Sequence, residues 1–157
     1  MQKLCIFGQR IAMTKHEIVL MSITGEDKPG VTSSLTEILS KHNATILDIG
    51  QANIHQSLSL GILFRLDPVM QGNILKDLLF KSYELGVQAK FTPIERADYD
   101  QWVSRQGKES YVITVLGQKI EANQLAHVTK VIAEQGLNID TIKRLTGRIP
   151  LDSEDDS

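Results

Sequence analysis

The sequence predicts an α+β fold in which one antiparallel sheet of four strands carries two helices on one face. Two observations lead to this prediction. Between positions 17 and 94, the spacing of apolar residues changes between a period of two, which is typical of strands, and a period of 3.6, which is typical of helices. The resulting order of elements is β-α-β-β-α-β. Strands with alternating apolar residues bury one face, and helices with one apolar stripe can cover that face. This order is that of the split βαβ, or ferredoxin-like, arrangement.

The first strand and the first helix are joined by a turn of unusual composition. An apolar run at residues 18 to 23 predicts the strand, and residues 25 to 31, Gly-Glu-Asp-Lys-Pro-Gly-Val, predict the turn and the helix start. Asp27 can accept backbone N–H bonds at the helix N-terminus, Pro29 suits the first helical turn, and Gly30 permits close backbone approach. Free N–H groups there suit a small anion such as an amino-acid carboxylate. The other interpretation is a capped turn that binds nothing.

The remaining elements of this repeat follow from the same patterns. The first helix has an apolar stripe formed by Val31, Leu35, Ile38 and Leu39. Residues 45 to 54 and 57 to 66 predict two strands joined by a hairpin turn at residues 55 and 56. A second helix follows, with its stripe formed by Met70, Ile74, Leu78 and Leu85, and Gly86 ends it. Residues 87 to 92 predict the fourth strand.

A charged segment separates this repeat from a second, partial copy. Residues 95 to 109 are charged and carry Tyr99, Trp102 and Val103 on one predicted helical face. Strand, helix and strand patterns then recur about 93 residues after their first occurrence, at residues 111 to 116, 125 to 132 and 137 to 142. We therefore expect an N-terminal extension (1–15), a first domain (16–94), a helical linker (95–109), a partial second domain of βαβ type (110–148) and an acidic tail (149–157).

Composition argues against several classes of function. The 157 residues carry 17 basic and 19 acidic side chains, and no basic patch suggests nucleic acid as a partner. Apolar runs are far shorter than the roughly 20 residues that cross a bilayer, and no signal peptide opens the chain, so we expect a cytoplasmic protein without a membrane partner. The single Cys5 cannot form an internal disulfide. The four histidines lack metal-ligand spacing, so neither a metal nor another cofactor is expected.

Five segments carry a resemblance to a known family. Residues 23 to 30, Ile-Thr-Gly-Glu-Asp-Lys-Pro-Gly, together with residues 43 to 50, Asn-Ala-Thr-Ile-Leu-Asp-Ile-Gly, resemble an ACT domain, the small βαββαβ regulatory module that binds amino acids. More narrowly, residues 49 to 64, 111 to 117 and 138 to 148 resemble the N-terminal regulatory region of a bacterial phosphoserine phosphatase. The resemblance covers residues 13 to 152.

In that family, tandem ACT domains precede a haloacid-dehalogenase-type catalytic domain with an Asp-x-Asp-x-Thr motif and bound Mg²⁺. The one Asp-x-Asp in this chain joins Asp98 and Asp100, is followed by Gln101 and Trp102, and lies in the charged linker rather than after a strand. A solvated linker face explains it better than a catalytic pair. We therefore expect no catalytic residue, no enzyme activity of this chain by itself, and Mg²⁺ only in a catalytic domain that these residues do not include.

The resemblance also implies a ligand site between two ACT domains. It places the ligand between the first strand-to-helix turn of one domain and the start of the second strand of another. The corresponding positions are Gly25, Asp27, Lys28, Pro29, Gly30 and Val31 on one side, and Thr45 and Asp48 on the other. Backbone N–H groups near Gly30 and Val31 would bind a carboxylate, and Asp27 or Asp48 an ammonium group. Gly117 and Asn138 would belong to a second site in the second copy.

Two classes of function remain open from the sequence. The first is a regulatory and dimerisation module of phosphoserine phosphatase type, which binds serine or a similar small amino acid. It would act as a homodimer, because a βαβ piece with an unpaired sheet edge invites pairing with another chain. The alternative is a stand-alone ACT regulator or assembly protein that acts through protein contacts, like tandem-ACT repressors of glycine metabolism. A phosphatase activity of the chain itself ranks third.

Overall fold

The computed structural model describes residues 17–67, 69–107, 109–117, 119–145 and 147. The chain divides after residue 108 into two compact units, unit 1 and unit 2. Unit 1 contains β1 (Ile18–Glu26), α1 (Val31–Lys41), β2 (Thr45–Ile54), β3 (Ser57–Arg65), α2 (Gln71–Leu85), β4 (Gln88–Ile94) and α3 (Arg96–Ser104). Unit 2 contains α4 (Ala122–Glu134). The predicted extension 1–15 and tail 149–157 lie outside the described residues.

The sheet of unit 1 has the strand order β2-β3-β1-β4, and every neighbouring pair is antiparallel. The central ladder runs from Ile18 opposite Arg65 to Glu26 opposite Ser57. The segments β1-α1-β2 and β3-α2-β4 therefore interlock. In the sheet, β3 lies between β1 and β2 of the first segment, and β1 lies between β3 and β4 of the second. The predicted ferredoxin-like fold is confirmed.

The core of unit 1 lies between the sheet and its two helices. Buried side chains alternate along β1 (Val19, Met21, Ile23) and β3 (Leu58, Leu60, Ile62, Phe64), and they recur at helical spacing on α1 (Val31, Leu35, Leu39) and α2 (Ile74, Leu78). The ring nitrogen Nε2 of His42, at the end of α1, lies 2.8 Å from Oδ2 of Asp77 on α2. The predicted stripes thus face the sheet, except that Met70 is the exposed N-cap of α2.

The helix α3 lies within the range 95–109 predicted as a linker, and the rings of its Tyr99 and Trp102 lie 5.8 Å apart. In unit 2, α4 agrees with the predicted helix. The predicted strands at 111–116 and 137–142 are wrong for the described residues of unit 2, none of which joins a strand ladder. A strand needs a hydrogen-bonded neighbour as well as an apolar pattern.

None of the helices within the described ranges is long and apolar enough to cross a bilayer. The same residues contain no group of three or more His, Cys, Asp or Glu side chains that could hold a metal ion.

Candidate functional site

The turn between β1 and α1 is held by backbone bonds and one left-handed glycine. The Asp27 N–H donates to the Gln56 carbonyl at 2.8 Å, which ties the turn to the β2–β3 hairpin. Gly30 is the N-cap of α1 with φ of 94°, and its carbonyl accepts from the Ser34 N–H at 2.9 Å. Its carbonyl also accepts from Ser33 Oγ at 3.1 Å.

No side chain in the described part of the chain caps α1. The Val31 N–H donates to the Lys28 carbonyl at 3.4 Å, so of the N–H groups predicted to bind a carboxylate this one is already paired. The N–H groups of Thr32 and Ser33 have no acceptor within the helix.

Two expectations about this turn are wrong. Asp27 does not cap the helix, because its Oδ2 accepts a hydrogen bond from Asn53 Nδ2 on β2. Pro29 lies before the N-cap rather than in the first helical turn. The reason is the positive φ of Gly30, which turns the chain so that α1 begins at Val31 and leaves Asp27 three residues before the capping position.

Four polar side chains form a continuous chain of hydrogen bonds beside the helix start, which we call the turn network: Asp27, Thr32, Gln51 and Asn53. Thr32 Oγ1 donates to Gln51 Oε1 at 2.8 Å, and Gln51 Nε2 donates to Asn53 Oδ1 at 3.5 Å. Asn53 Nδ2 then donates to Asp27. The network is open to solvent and places amide, hydroxyl and carboxylate groups next to the N-terminus of α1.

Sequence reasoning missed Thr32, Gln51 and Asn53. Gln51 lies opposite Leu60 and Asn53 opposite Leu58, both core residues of β3, so the two amides point to the helix side of the sheet. The sequence does contain a signal for Gln51 and Asn53: two successive positions on that face of β2 are polar. In an apolar strand pattern, those positions would carry buried hydrophobic side chains.

Thr45 and Asp48 lie at the opposite end of the sheet from the turn. Thr45 and Ile18 flank Arg65 on β3, whereas Asn53 and Gly25 flank Leu58. Thr45 is thus eight residues along β2 from Asn53, or roughly 26 Å at the rise of a strand. Asp48 borders a β-bulge, where its Oδ1 accepts the Ile49 N–H at 2.9 Å. One copy of the chain does not bring these two residues to the turn.

The other predicted site residues of unit 1 have structural roles. A Cβ atom at Gly25 would lie 2.9 Å from Val87 Cγ1 and 3.2 Å from Val87 Cα, so this position has no room for a side chain. Lys28 Nζ lies 3.0 Å from Glu26 Oε2 in an exposed ion pair. Val31 is buried in the core. The pair proposed for a second site, Gly117 and Asn138, is exposed in unit 2.

Replacing Gly30 by alanine tests the turn geometry. Because its φ of 94° lies in the left-handed region, we expect a loss of about 1–2 kcal/mol in the free energy of unfolding, measured by urea denaturation. The matched control is Gly72→Ala at the start of α2, where an added Cβ meets open space and helix propensity favours alanine. Equal stability of the Gly30 and Gly72 variants would contradict the assigned role.

Comparison with known proteins gives separate evidence about the family to which the chain belongs. Residues 17–92 match one ACT-domain family model, and residues 109–151 match another. The chain is 37% identical over 131 residues to phosphoserine phosphatase SerB2 of Mycobacterium tuberculosis, which covers 82% of this chain and 31% of that protein. It is 27% identical over 128 residues to the phosphoserine phosphatase of Streptomyces coelicolor, covering 81% of this chain and 30% of that protein. The chain thus spans under a third of the length of these relatives.

A solved structure gives a likeness at the level of the fold. It belongs to a protein assigned as a glycine cleavage system transcriptional repressor, and it is similar with a TM-score of 0.52 over 76% of this chain and 66% of that chain. At 11% sequence identity, this likeness shows the fold alone.

Proposed function

Because the chain belongs to the ACT-domain family, we propose that it is an amino-acid-binding regulatory and dimerisation module of phosphoserine phosphatase type, with serine or a similar small amino acid as its ligand. The predicted kinship with phosphoserine phosphatases is confirmed by the sequence identities. A role in serine biosynthesis in the cytoplasm, as a homodimer, is part of the proposal.

The turn network beside the open N-terminus of α1 is the observation that carries this proposal. An α-amino acid presents a carboxylate and an ammonium group on adjacent atoms. N–H groups in the first turn of α1 suit the carboxylate, because they lack intrahelical partners and lie at the positive end of the helix dipole. The Asp27 carboxylate suits the ammonium group through a charge-assisted hydrogen bond.

The amides of the network suit the side chain of the ligand. Gln51 and Asn53 each offer both a donor and an acceptor, which is what a ligand hydroxyl can pair with. Thr32 holds Gln51 in place through its own hydroxyl. In the family arrangement, Thr45 and Asp48 would come from another ACT domain and close the site from the other side.

The size of the ligand limits its affinity. Serine has seven non-hydrogen atoms. Because the binding free energy of a small ligand reaches at best about −1.5 kcal/mol per non-hydrogen atom, serine can bind with roughly −10 kcal/mol at most. Because the network is exposed, we expect binding in the micromolar to millimolar range.

Titration calorimetry with Asp27→Asn tests the proposal. We expect saturable serine binding to the unmodified chain and at least about a ten-fold weaker affinity for the variant, because the charge-assisted bond to the ammonium group is lost. The matched control is Asp100→Asn, the same change on an exposed position of α3, which should bind serine as tightly as the unmodified chain.

Glycine and phosphoserine complete the titration. Weaker binding of glycine would indicate that the hydroxyl contributes, and equal binding would assign recognition to the α-amino acid group alone. Absence of any binding at millimolar serine would overturn the proposed ligand. Equal affinity of the two variants would move the site away from Asp27.

The remaining candidate functions have weaker support. A stand-alone regulator acting through protein contacts rests on the fold likeness described above, which does not extend to function. For a phosphatase activity of this chain, the expectation of no turnover stays a prediction, and a phosphoserine hydrolysis assay with Mg²⁺ tests it. Asp98 and Asp100 lie exposed on α3.

A further inference from the structure

A cleft with a volume of about 310 Å³ lies at the end of the unit 1 sheet that is opposite the turn network. Six residues line it, and we call it the sheet-end cleft: Glu17, Asn43, Thr45, Arg65, Leu66 and Asp67. Pockets for small molecules have volumes of roughly 300–1,000 Å³, so this cleft suits a small ligand. Leu66 is buried, whereas the charged residues are half-buried or exposed. A ligand can therefore reach the charged groups from solvent.

The pairing of the strands brings the charged residues of the cleft together. Thr45 and Ile18 flank Arg65 in the sheet, at the start of β2 and of β1. The Leu66 N–H donates to the Glu17 carbonyl at 2.8 Å, so Glu17 lies beside the end of β3. Arg65 and Asp67 precede and follow Leu66 in the chain. The register thus places one basic and two acidic residues at one end of the sheet.

These charged side chains are available to a ligand. Among the described residues, none forms an ion pair or a side-chain hydrogen bond with Arg65 or with the carboxylate of Glu17. Asp67 Oδ1 accepts from the Val69 N–H at 2.9 Å, which orients the carboxylate and leaves its Oδ2 open to another donor. Each of the three charges can therefore form a charge-assisted hydrogen bond with a ligand group.

The C-terminus of α1 adds negative potential at the cleft. Asn43 follows the helix with φ of 52°. Its N–H donates to the Ser40 carbonyl, and the Ala44 N–H donates to the Leu39 carbonyl, both at 3.0 Å. These two bonds form a Schellman motif, which ends a helix with a left-handed residue. Asn43 thus places the helix end at the cleft, where the partial negative charge of the helix dipole favours a cation.

We propose that the sheet-end cleft binds a basic α-amino acid such as lysine or arginine. Such a molecule has one carboxylate and two cationic groups, which match the one basic and two acidic residues of the cleft. Arg65 binds the carboxylate of the ligand, and Glu17 and Asp67 bind its two cationic groups. A neutral amino acid such as serine would leave one carboxylate of the cleft unpaired. This site is separate from the turn network, and the inference does not depend on the proposed serine site.

Titration calorimetry with a series of ligands tests the charge match on the 157-residue chain. We expect saturable binding of lysine and arginine. Norleucine lacks the side-chain ammonium group of lysine, and cadaverine lacks its carboxylate, so each should bind at least about ten-fold more weakly. Absence of saturable binding of lysine and arginine at millimolar concentration would overturn the proposal. Equal affinity for lysine and either analogue would also overturn it.

Substitutions in the cleft test where the ligand binds. Arg65→Gln removes the partner of the ligand carboxylate, and Asp67→Asn removes a negative charge but keeps an acceptor for the Val69 N–H. Each should weaken lysine binding by at least about ten-fold. The matched controls are Arg105→Gln and Asp98→Asn, at exposed positions on or next to α3, and both should bind lysine as tightly as the unmodified chain. Equal lysine affinity of the cleft variants and the controls would overturn the assigned site.

Asp27→Asn distinguishes this site from the turn network. It should weaken serine binding and leave lysine binding unchanged, because Asp27 lies at the other end of the sheet. Weaker lysine binding by Asp27→Asn, with full affinity in Arg65→Gln, would assign lysine to the turn network and reject the cleft. Lysine binding that depends on Arg65, in a chain that does not bind serine, would support the cleft and reject the proposed serine ligand alone.

Discussion

Replacing Phe64 by alanine is expected to lower the free energy of unfolding of unit 1 by about 3–5 kcal/mol. Phe64 is fully buried on β3, next to Val19 on β1 and Ile46 on β2 in the sheet. Truncation removes the transfer free energy of the ring and leaves a cavity between sheet and helices, which the surrounding strands can only partly close. Small domains are stable by about 5–15 kcal/mol, so this loss is a large fraction of the total.

Urea denaturation followed by circular dichroism measures this effect. Phe80→Ala is the matched control, since Phe80 is 60% exposed on α2 and its loss should cost less than about 1 kcal/mol. If Phe64→Ala does not fold, Phe64→Leu keeps most of the volume and should still lower the transition midpoint measurably. A Phe64 variant no less stable than the Phe80 variant would contradict the core assignment.

Replacing Gly25 by alanine is expected to cost about 1–3 kcal/mol through overpacking. The new Cβ would lie 2.9 Å from Val87 Cγ1 and 3.2 Å from Val87 Cα, and Val87 is itself buried where α2 leads into β4. Because one close contact is with the backbone, a side-chain rotation cannot relieve the strain completely. Thermal or urea unfolding measures the loss.

A double-mutant cycle with Val87→Gly tests the cause. The second change removes the clashing Cβ and Cγ atoms, so the two substitutions together should cost less than the sum of their separate effects, by about 0.5–2 kcal/mol. Gly50→Ala on β2 is the control, because an added Cβ there meets open space. Additive effects at positions 25 and 87 would show that the close approach is not what requires glycine.

Much of unit 1 could be predicted from local patterns. The alternation of Leu58, Leu60, Ile62 and Phe64 and the helical spacing of Val31, Leu35 and Leu39 are properties of short segments, and burial follows because each segment has one apolar side. The turn was also located correctly, since its glycines and proline are local signals. The part played by each of its residues was predicted less well. Asp27 bonds to Asn53 because β2 and β1 flank the same residue of β3.

Comparing the two copies of the repeat shows which features depend on local sequence preference and which depend on tertiary context. Residues 111–116 have the apolar pattern of a strand as residues 18–23 do, but only the latter have neighbours on both sides among the described residues. A helix makes its hydrogen bonds within one segment, which is why α4 agreed with prediction while the strands of unit 2 did not.

The sequence by itself determined the order of elements, the apolar faces, the position of the turn and the kinship with ACT domains, because each depends on residues close together in the chain. Only the tertiary structure decided that Thr32, Gln51 and Asn53 join Asp27, that Gly25 makes room for Val87, and that the apolar residues of unit 2 are exposed. Those features depend on strand register and on what lies next to each strand, which residues far apart in the chain decide together.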